Sequence, residues 1–132
     1  MSSTVSKTAS CLCGEVSFRI TGELRLVIAC HCTQCRKQTG NYGAFTSTED
    51  QHLHFDKQAT LAWYRASDKA QRGFCKNCGS LLFWKADGSK ETSISAGSID
   101  GKTGLALGGH IYCEDAGDYY SITGGTYQLP QW

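Results

Sequence analysis

Cys30-His31-Cys32-Thr33-Gln34-Cys35 puts three cysteines within six residues, and the sequence offers them no fourth thiol nearby. Two further pairs stand far from this stretch and from each other, Cys11-Leu12-Cys13 near the start and Cys75-Lys76-Asn77-Cys78 past the middle. Two short pairs supply the four thiolates of a closed tetrahedral zinc site. A cluster of three supplies an open site, whose last position is left to water or substrate. Seven cysteines therefore divide into one structural metal centre and one working centre. The eighth, Cys113, tests that division.

Working outward from the triad, residues 24–29 are mostly apolar and read as a more buried strand that delivers the chain into Cys30. Before it, Val16, Phe18 and Ile20 alternate with Glu15, Ser17 and Arg19, the period of a half-buried strand. A break at Gly22-Glu23 would make these two strands a hairpin joining the first cysteine pair to the triad. After the triad, residues 33–39 show no alternation and read as one or two helical turns, ended by Gly40 at the C′ position. Residues 42–48 are strand-like, 47–50 turn-like, and His52 and His54 share one face of a short strand. Residues 60–66 and 70–74 form a hairpin across Ser67-Asp68-Lys69 and end at Cys75, in a C-x-x-C-G knuckle closed by Gly79. Strands follow at 81–84 and 91–96 around an Asp87-Gly88 turn, a glycine-rich loop at 101–109, and last strands at 109–113 and 119–122. Many short strands joined by regular turns predict a mainly β protein with little helix.

At 132 residues the chain is read as one zinc-binding domain over 1–132, with its core at about 10–125. Fifteen glycines against one proline, with 40% hydrophobic and 19% charged residues, suit strands and glycine turns. Residues 1–10 hold no apolar run, so no signal peptide is read there. The longest apolar run, from Leu26 to Cys30, is far short of the roughly 20 residues that a membrane-spanning helix needs. Cysteine-rich chains without a secretory leader keep reduced thiols, which places this one in the cytoplasm. The formal charge is +1; seven metal-bound thiolates contribute −7 and two Zn²⁺ contribute +4, leaving −2. With Arg36-Lys37 as the one adjacent basic pair, the electrostatic footprint of a nucleic-acid binder is missing.

Cys11, Cys13, Cys75 and Cys78 form two tight pairs at distant places, the pattern of a structural site that ties separate parts of a chain together. For Cys30, Cys32 and Cys35 a closed site would need a fourth ligand, and Cys113, His110, His31, His52 and His54 are the candidates. Cys113 beside Ile111 and Tyr112 reads as a core thiol on an apolar strand. His31, between two ligands, reads as turned away from the metal. Three thiolates leave a zinc centre at −1, a weaker Lewis acid than the three-histidine centres that split water. Such a centre still holds an incoming thiol as thiolate, which favours chemistry on sulfur over hydrolysis of peptides or phosphates.

Three motifs taken in order, Cys11-Leu12-Cys13-Gly14-Glu15-Val16-Ser17-Phe18, Cys30-His31-Cys32-Thr33-Gln34-Cys35-Arg36-Lys37 and Phe74-Cys75-Lys76-Asn77-Cys78-Gly79-Ser80-Leu81-Leu82-Phe83, resemble the glutathione-dependent formaldehyde-activating family, which also includes centromere protein V. The resemblance runs from about residue 10 to the Leu129-Pro130-Gln131-Trp132 tail. It implies a zinc-stabilised β-tent of short antiparallel strands. It also implies a structural zinc on Cys11, Cys13, Cys75 and Cys78, and a second zinc on Cys30, Cys32 and Cys35, where glutathione sulfur binds. The implied activity joins glutathione and formaldehyde into S-hydroxymethylglutathione, formally a carbon–sulfur lyase run in reverse. Cys113 and Asp118 depart from the family's pattern, which usually has an aliphatic and an aromatic residue at those places.

The reading that follows is a zinc enzyme acting on glutathione or another small thiol, with Arg36 and Lys37 beside the triad as candidate contacts for its carboxylates. The alternative is a non-catalytic interaction module on a zinc scaffold, with both metal sites structural. A thiol redox or metal-buffering protein is the third possibility. Zinc-edge absorption with and without glutathione separates the first two.

Overall fold

The computed structural model describes residues 6–132. Ten strands run in chain order as β1 Lys7–Ser10, β2 Ser17–Ile20, β3 Val27–Cys30, β4 Gly43–Glu49, β5 Leu53–Lys57, β6 Leu61–Arg65, β7 Ala70–Cys75, β8 Leu81–Ala86, β9 Glu91–Ser95 and β10 Leu107–Ile111. Helix α1, Thr33–Thr39, is the one α-helix among the described residues. The protein is mainly β, as the short alternating runs predict.

The strands form two sheets. One is three-stranded in the order β1-β2-β5, and the other is seven-stranded in the order β10-β3-β4-β9-β8-β7-β6. Every pairing is antiparallel except β10 on β3. Successive side chains on a strand point to opposite faces, so the larger sheet has two different surfaces. Phe83 of β8 and Ile94 of β9, cross-strand partners, turn to one face and are fully buried with Phe18, Ile20 and Val16. The rings of Phe18, Phe55 and Phe83 meet at centroid distances of 5.0–5.8 Å, so aromatic packing clamps the small sheet onto the large one. Trp84, next to Phe83, turns to the opposite face. Its cross-strand partners are Arg72 and Ser93, and that face carries the site described below.

Helix α1 matches the expected span, and Gly40 ends it with φ at 80°. Several expectations fail for identifiable reasons. The hairpin expected between residues 16–20 and 24–29 does not form, because both edges of β2 are taken by β1 and β5 and β3 pairs in the other sheet. Residues 23–25 are held instead by β4, with Thr46 Oγ1 donating to the Arg25 carbonyl at 2.6 Å and Thr48 Oγ1 to that of Glu23 at 3.2 Å. The turn expected at 47–50 starts only at Asp50, whose carboxylate binds Lys85 and accepts from Thr92 Oγ1 at 2.6 Å. His52 therefore sits in the 3-10 turn Asp50–His52, off the strand that carries His54. The strand expected at 109–113 is β10, which starts earlier, at Leu107. Its Gly108-Gly109 looks like loop in the sequence, but a Cβ at 109 would overlap the ring of Tyr127, which packs there. Cys113 falls in the 3-10 turn Cys113–Asp115, half-buried rather than in the core. No strand forms at 119–122: Tyr119 donates to the Gly40 carbonyl at 2.9 Å and Tyr120 reaches His31 at 2.7 Å, both through side chains. No helix among the described residues is long and apolar enough to cross a membrane.

Candidate metal centres

Two turns, one from each sheet, meet at the first site. The β1–β2 turn carries Cys11 and Cys13, tightened by Gly14 N–H donating to the Cys11 carbonyl at 3.1 Å. The β7–β8 turn carries Cys75 and Cys78, tightened by Gly79 N–H to the Cys75 carbonyl at 2.7 Å. Gly79 stands at φ 84°, a left-handed conformation that a residue with a Cβ adopts only under strain. Leu12 N–H donates to Ser80 Oγ at 3.0 Å, which locks the two turns together. The four Sγ atoms all lie within 4.8 Å of one another, with Cys11 to Cys13 at 3.6 Å and Cys13 to Cys75 at 3.8 Å. Four sulfurs at about 2.3 Å from one tetrahedral ion would stand about 3.8 Å apart. The donors therefore fit a metal ion. The surroundings of the second pair favour thiolates, whereas burial pushes Cys11 up: Ser80, first through its hydroxyl and then through its backbone, holds Cys78 down to about 5. The Thr60 hydroxyl, 3.3 Å from Cys75 Sγ, holds Cys75 below the usual thiol range.

The second cluster is Cys30, Cys32 and Cys35, whose Sγ atoms also lie within 4.8 Å of one another. Cys30 is the last residue of β3, paired with Gly43 on one side and Ile111 on the other. Cys32 is the N-cap of α1, and its sulfur accepts from Cys35 N–H at 3.4 Å. That bond places Cys32 and Cys35 one helical turn apart on the same face. The neighbouring thiols Cys30 and Cys35, bonding to Cys32 sulfur, pull Cys32 down to about 2; its bond with Cys32 pushes Cys30 far up. Three soft donors in this arrangement suit a metal ion. Among the described residues neither Cys113 nor His31, His52, His54 or His110 joins either cluster.

The triad opens onto a cleft of about 560 Å³ that the four-cysteine cluster does not line. The far face of the large sheet forms its floor, through Arg72, Trp84 and Ser93, and Tyr112, Asp115 and Trp132 stand among its walls. Tyr112 is the one non-glycine with positive φ among the described residues, at 55°. The cations of the cleft are Arg25 and Arg72; Arg36 and Lys37, the contacts expected from the sequence, do not line it. Arg72 is 3% exposed. Its Nη1 and Nη2 donate to Cys35 Sγ at 3.5 and 3.4 Å, and Nη2 reaches Cys32 Sγ at 3.9 Å. Nε and Nη1 also donate to the side-chain carbonyls of Gln34 at 3.1 Å and Gln38 at 2.8 Å, both on α1. The sequence reading gave Arg72 no role. The available signal is an arginine at the centre of a strand with Ala70 and Phe74 at i±2, a charge placed where burial demands a counter-charge.

His31, expected to turn away from the metal, is fully buried beside the triad. His110 Nε2 stands 3.0 and 3.1 Å from the carbonyls of Thr123 and Gly124, which only accept, so Nε2 carries the proton. Its Nδ1 then accepts from His31 Nε2–H at 2.9 Å, and His31 Nδ1 accepts from the Tyr120 hydroxyl at 2.7 Å. Burial, followed by the neighbouring His110, pushes the His31 pKa down. The pair holds the backbone between Cys30 and Cys32 to β10 and the C-terminal segment.

Three comparisons bear on this arrangement. The family model for the glutathione-dependent formaldehyde-activating enzyme matches residues 6–115. An uncharacterized lyase of Schizosaccharomyces pombe is 26% identical over 119 residues, which cover 89% of this chain and 85% of that one. The crystal structure of a Rhodobacter sphaeroides protein superposes with a TM-score of 0.60 at 22% identity, over 74% of this chain and 91% of that one, a likeness of fold.

Proposed function

The chain belongs to the glutathione-dependent formaldehyde-activating enzyme family, and from that premise we propose that it is a zinc-dependent carbon–sulfur lyase-type enzyme acting on an adduct of glutathione or another small thiol. The observation that carries this reading is the asymmetry of the two clusters: Cys30, Cys32 and Cys35 all line the cleft of about 560 Å³, and none of the other four cysteines of the clusters does. Cys11, Cys13, Cys75 and Cys78 would hold a structural zinc that joins the two sheets. Cys30, Cys32 and Cys35 would hold a second zinc. That ion would supply a fourth position at which an incoming thiol is held as thiolate near neutral pH.

The chain's own residues do the rest. A cleft of about 560 Å³ is the size of an ordinary small-molecule site, ample for a tripeptide thiol. Arg25 lines it, its guanidinium making one hydrogen bond, to the Phe45 carbonyl at 3.1 Å, and keeping donors for a substrate carboxylate. Trp84 and Trp132 line the cleft with apolar surface. In the reaction proposed, a carbon–sulfur bond forms between the thiol sulfur and the formaldehyde carbon. The thiol proton leaves to solvent and the carbonyl oxygen takes one up, so no oxidant or reductant is needed. Reduced thiols and this substrate fit a cytoplasmic protein.

The test is ¹³C NMR of labelled formaldehyde mixed with glutathione. Zinc-loaded protein should speed formation of S-hydroxymethylglutathione above the uncatalysed rate, and Cys35→Ser should abolish the increment. A loaded, folded protein that leaves the rate unchanged would refute the proposed reaction.

A further inference from the structure

Arg72 is a charge buried without a carboxylate. Its guanidinium lies beneath α1 at 3% exposure, and the ion pairs among the described residues all lie elsewhere, on Arg19, His52, Arg65 and Lys85. Gln34 and Gln38 satisfy two of its hydrogen bonds but carry no charge. The remaining bonds go to Cys35 and Cys32 sulfur. A buried cation needs a counter-charge, and the triad's sulfurs, as thiolates on a bound metal ion, are what this chain would provide.

We infer that Arg72 is a positioning residue that sets the charge of the three-cysteine centre, so that its fourth position prefers a thiolate to a neutral donor. This rests on the reading that Cys30, Cys32 and Cys35 hold a divalent ion with one position open. A divalent ion with three thiolates carries −1, and Arg72 brings the assembly to neutrality. A fourth thiolate then raises it only to −1. Without Arg72 the same ligand would make it −2 in a half-buried site, where like charge is poorly screened. A neutral ligand changes the total by nothing in either case. Arg72 therefore acts on the selectivity of the open position and not on every ligand alike. Gln34 and Gln38, at i and i+4 of α1, hold the guanidinium against Cys35 and fix this arrangement.

The test titrates zinc-loaded wild type, Arg72→Met and Arg72→Lys by calorimetry, once with 2-mercaptoethanol and once with imidazole, with zinc content and circular dichroism recorded for each. Losing a buried charge-assisted contact is worth about a ten- to hundredfold change in binding. Arg72→Met should lose thiol affinity by that factor and keep its imidazole affinity, and Arg72→Lys should retain most of the thiol preference. A parallel loss of both ligands in Arg72→Met would mean a merely structural residue and overturn the inference, as would an unchanged thiol affinity. Should Arg72→Met not fold with its zinc, Arg72→Lys decides: a retained thiol preference supports the charge argument, and its loss contradicts it. A wild type that binds imidazole but no thiol removes the thiol-handling reading and this inference together. A wild type that binds thiol as well as Arg72→Met does removes this inference alone.

Discussion

His31 stands between two of the candidate ligands and ligates nothing, because both ring nitrogens are engaged by Tyr120 and His110. Replacing it by glutamine breaks a buried hydrogen-bonded pair and should cost about 1–3 kcal/mol, read as a lower urea midpoint. The effect has a pH signature. Burial lowers the folded-state pKa of His31 below the 6.5 of a free imidazole, so the unfolded chain takes up the proton first. The stability held in the neutral ring is complete above about pH 6.5 and is lost as pH falls below it, through the lower folded value. Denaturant melts at pH 7.0 and 5.5 should therefore show a smaller fall in stability for His31→Gln than for wild type. An equal fall would mean that the ring is not held neutral.

At the scale of elements, the C-x-x-C-G knuckle depends on its glycine. Gly79 sits at φ 84°, and a Cβ built there would meet nothing within 4 Å, so crowding cannot explain a loss. Gly79→Ala should still destabilise by about 1–2 kcal/mol, the cost of a left-handed backbone, measured as a drop in melting temperature at unchanged zinc content. No drop would place the strain elsewhere. This knuckle, α1 with its glycine stop and the hairpin of β6 on β7 were all legible in the sequence, because local chemistry fixes each of them. What local chemistry does not fix was misread. Residues 24–29 are apolar enough for a hairpin partner of β2, but sheet membership was decided by β5 and β1 competing for β2's edges. Residues 119–122 read as a strand, but the hydroxyls of Tyr119 and Tyr120 find partners on Gly40 and His31, 79 and 89 residues away in sequence. The two cysteine clusters were legible from spacing alone. The cleft was not, since its floor comes from β7, β8 and β9 and its cations are Arg25 and Arg72 rather than the adjacent Arg36 and Lys37.

Across the whole molecule the two clusters differ in what they join. The four-cysteine cluster links the turn of one sheet to a turn of the other, so the energy of a metal bound there would be folding energy. Structural zinc is worth on the order of 10 kcal/mol or more, against a whole-domain stability of about 5–15 kcal/mol. Cys78→Ser should therefore be largely unfolded or insoluble. The triad closes a loop of six residues, and Cys35→Ser should keep most of its circular dichroism while losing about one zinc. Equal collapse of the two variants would make the triad structural as well. The most direct test of the account is ¹¹³Cd NMR of protein reconstituted with cadmium, before and after glutathione is added. Two resonances are expected, one from a four-sulfur site that glutathione leaves in place and one from a three-sulfur site that moves toward the first as a fourth sulfur binds. A single resonance, or two that both stay where they were, would contradict an open thiol-binding centre at Cys30, Cys32 and Cys35.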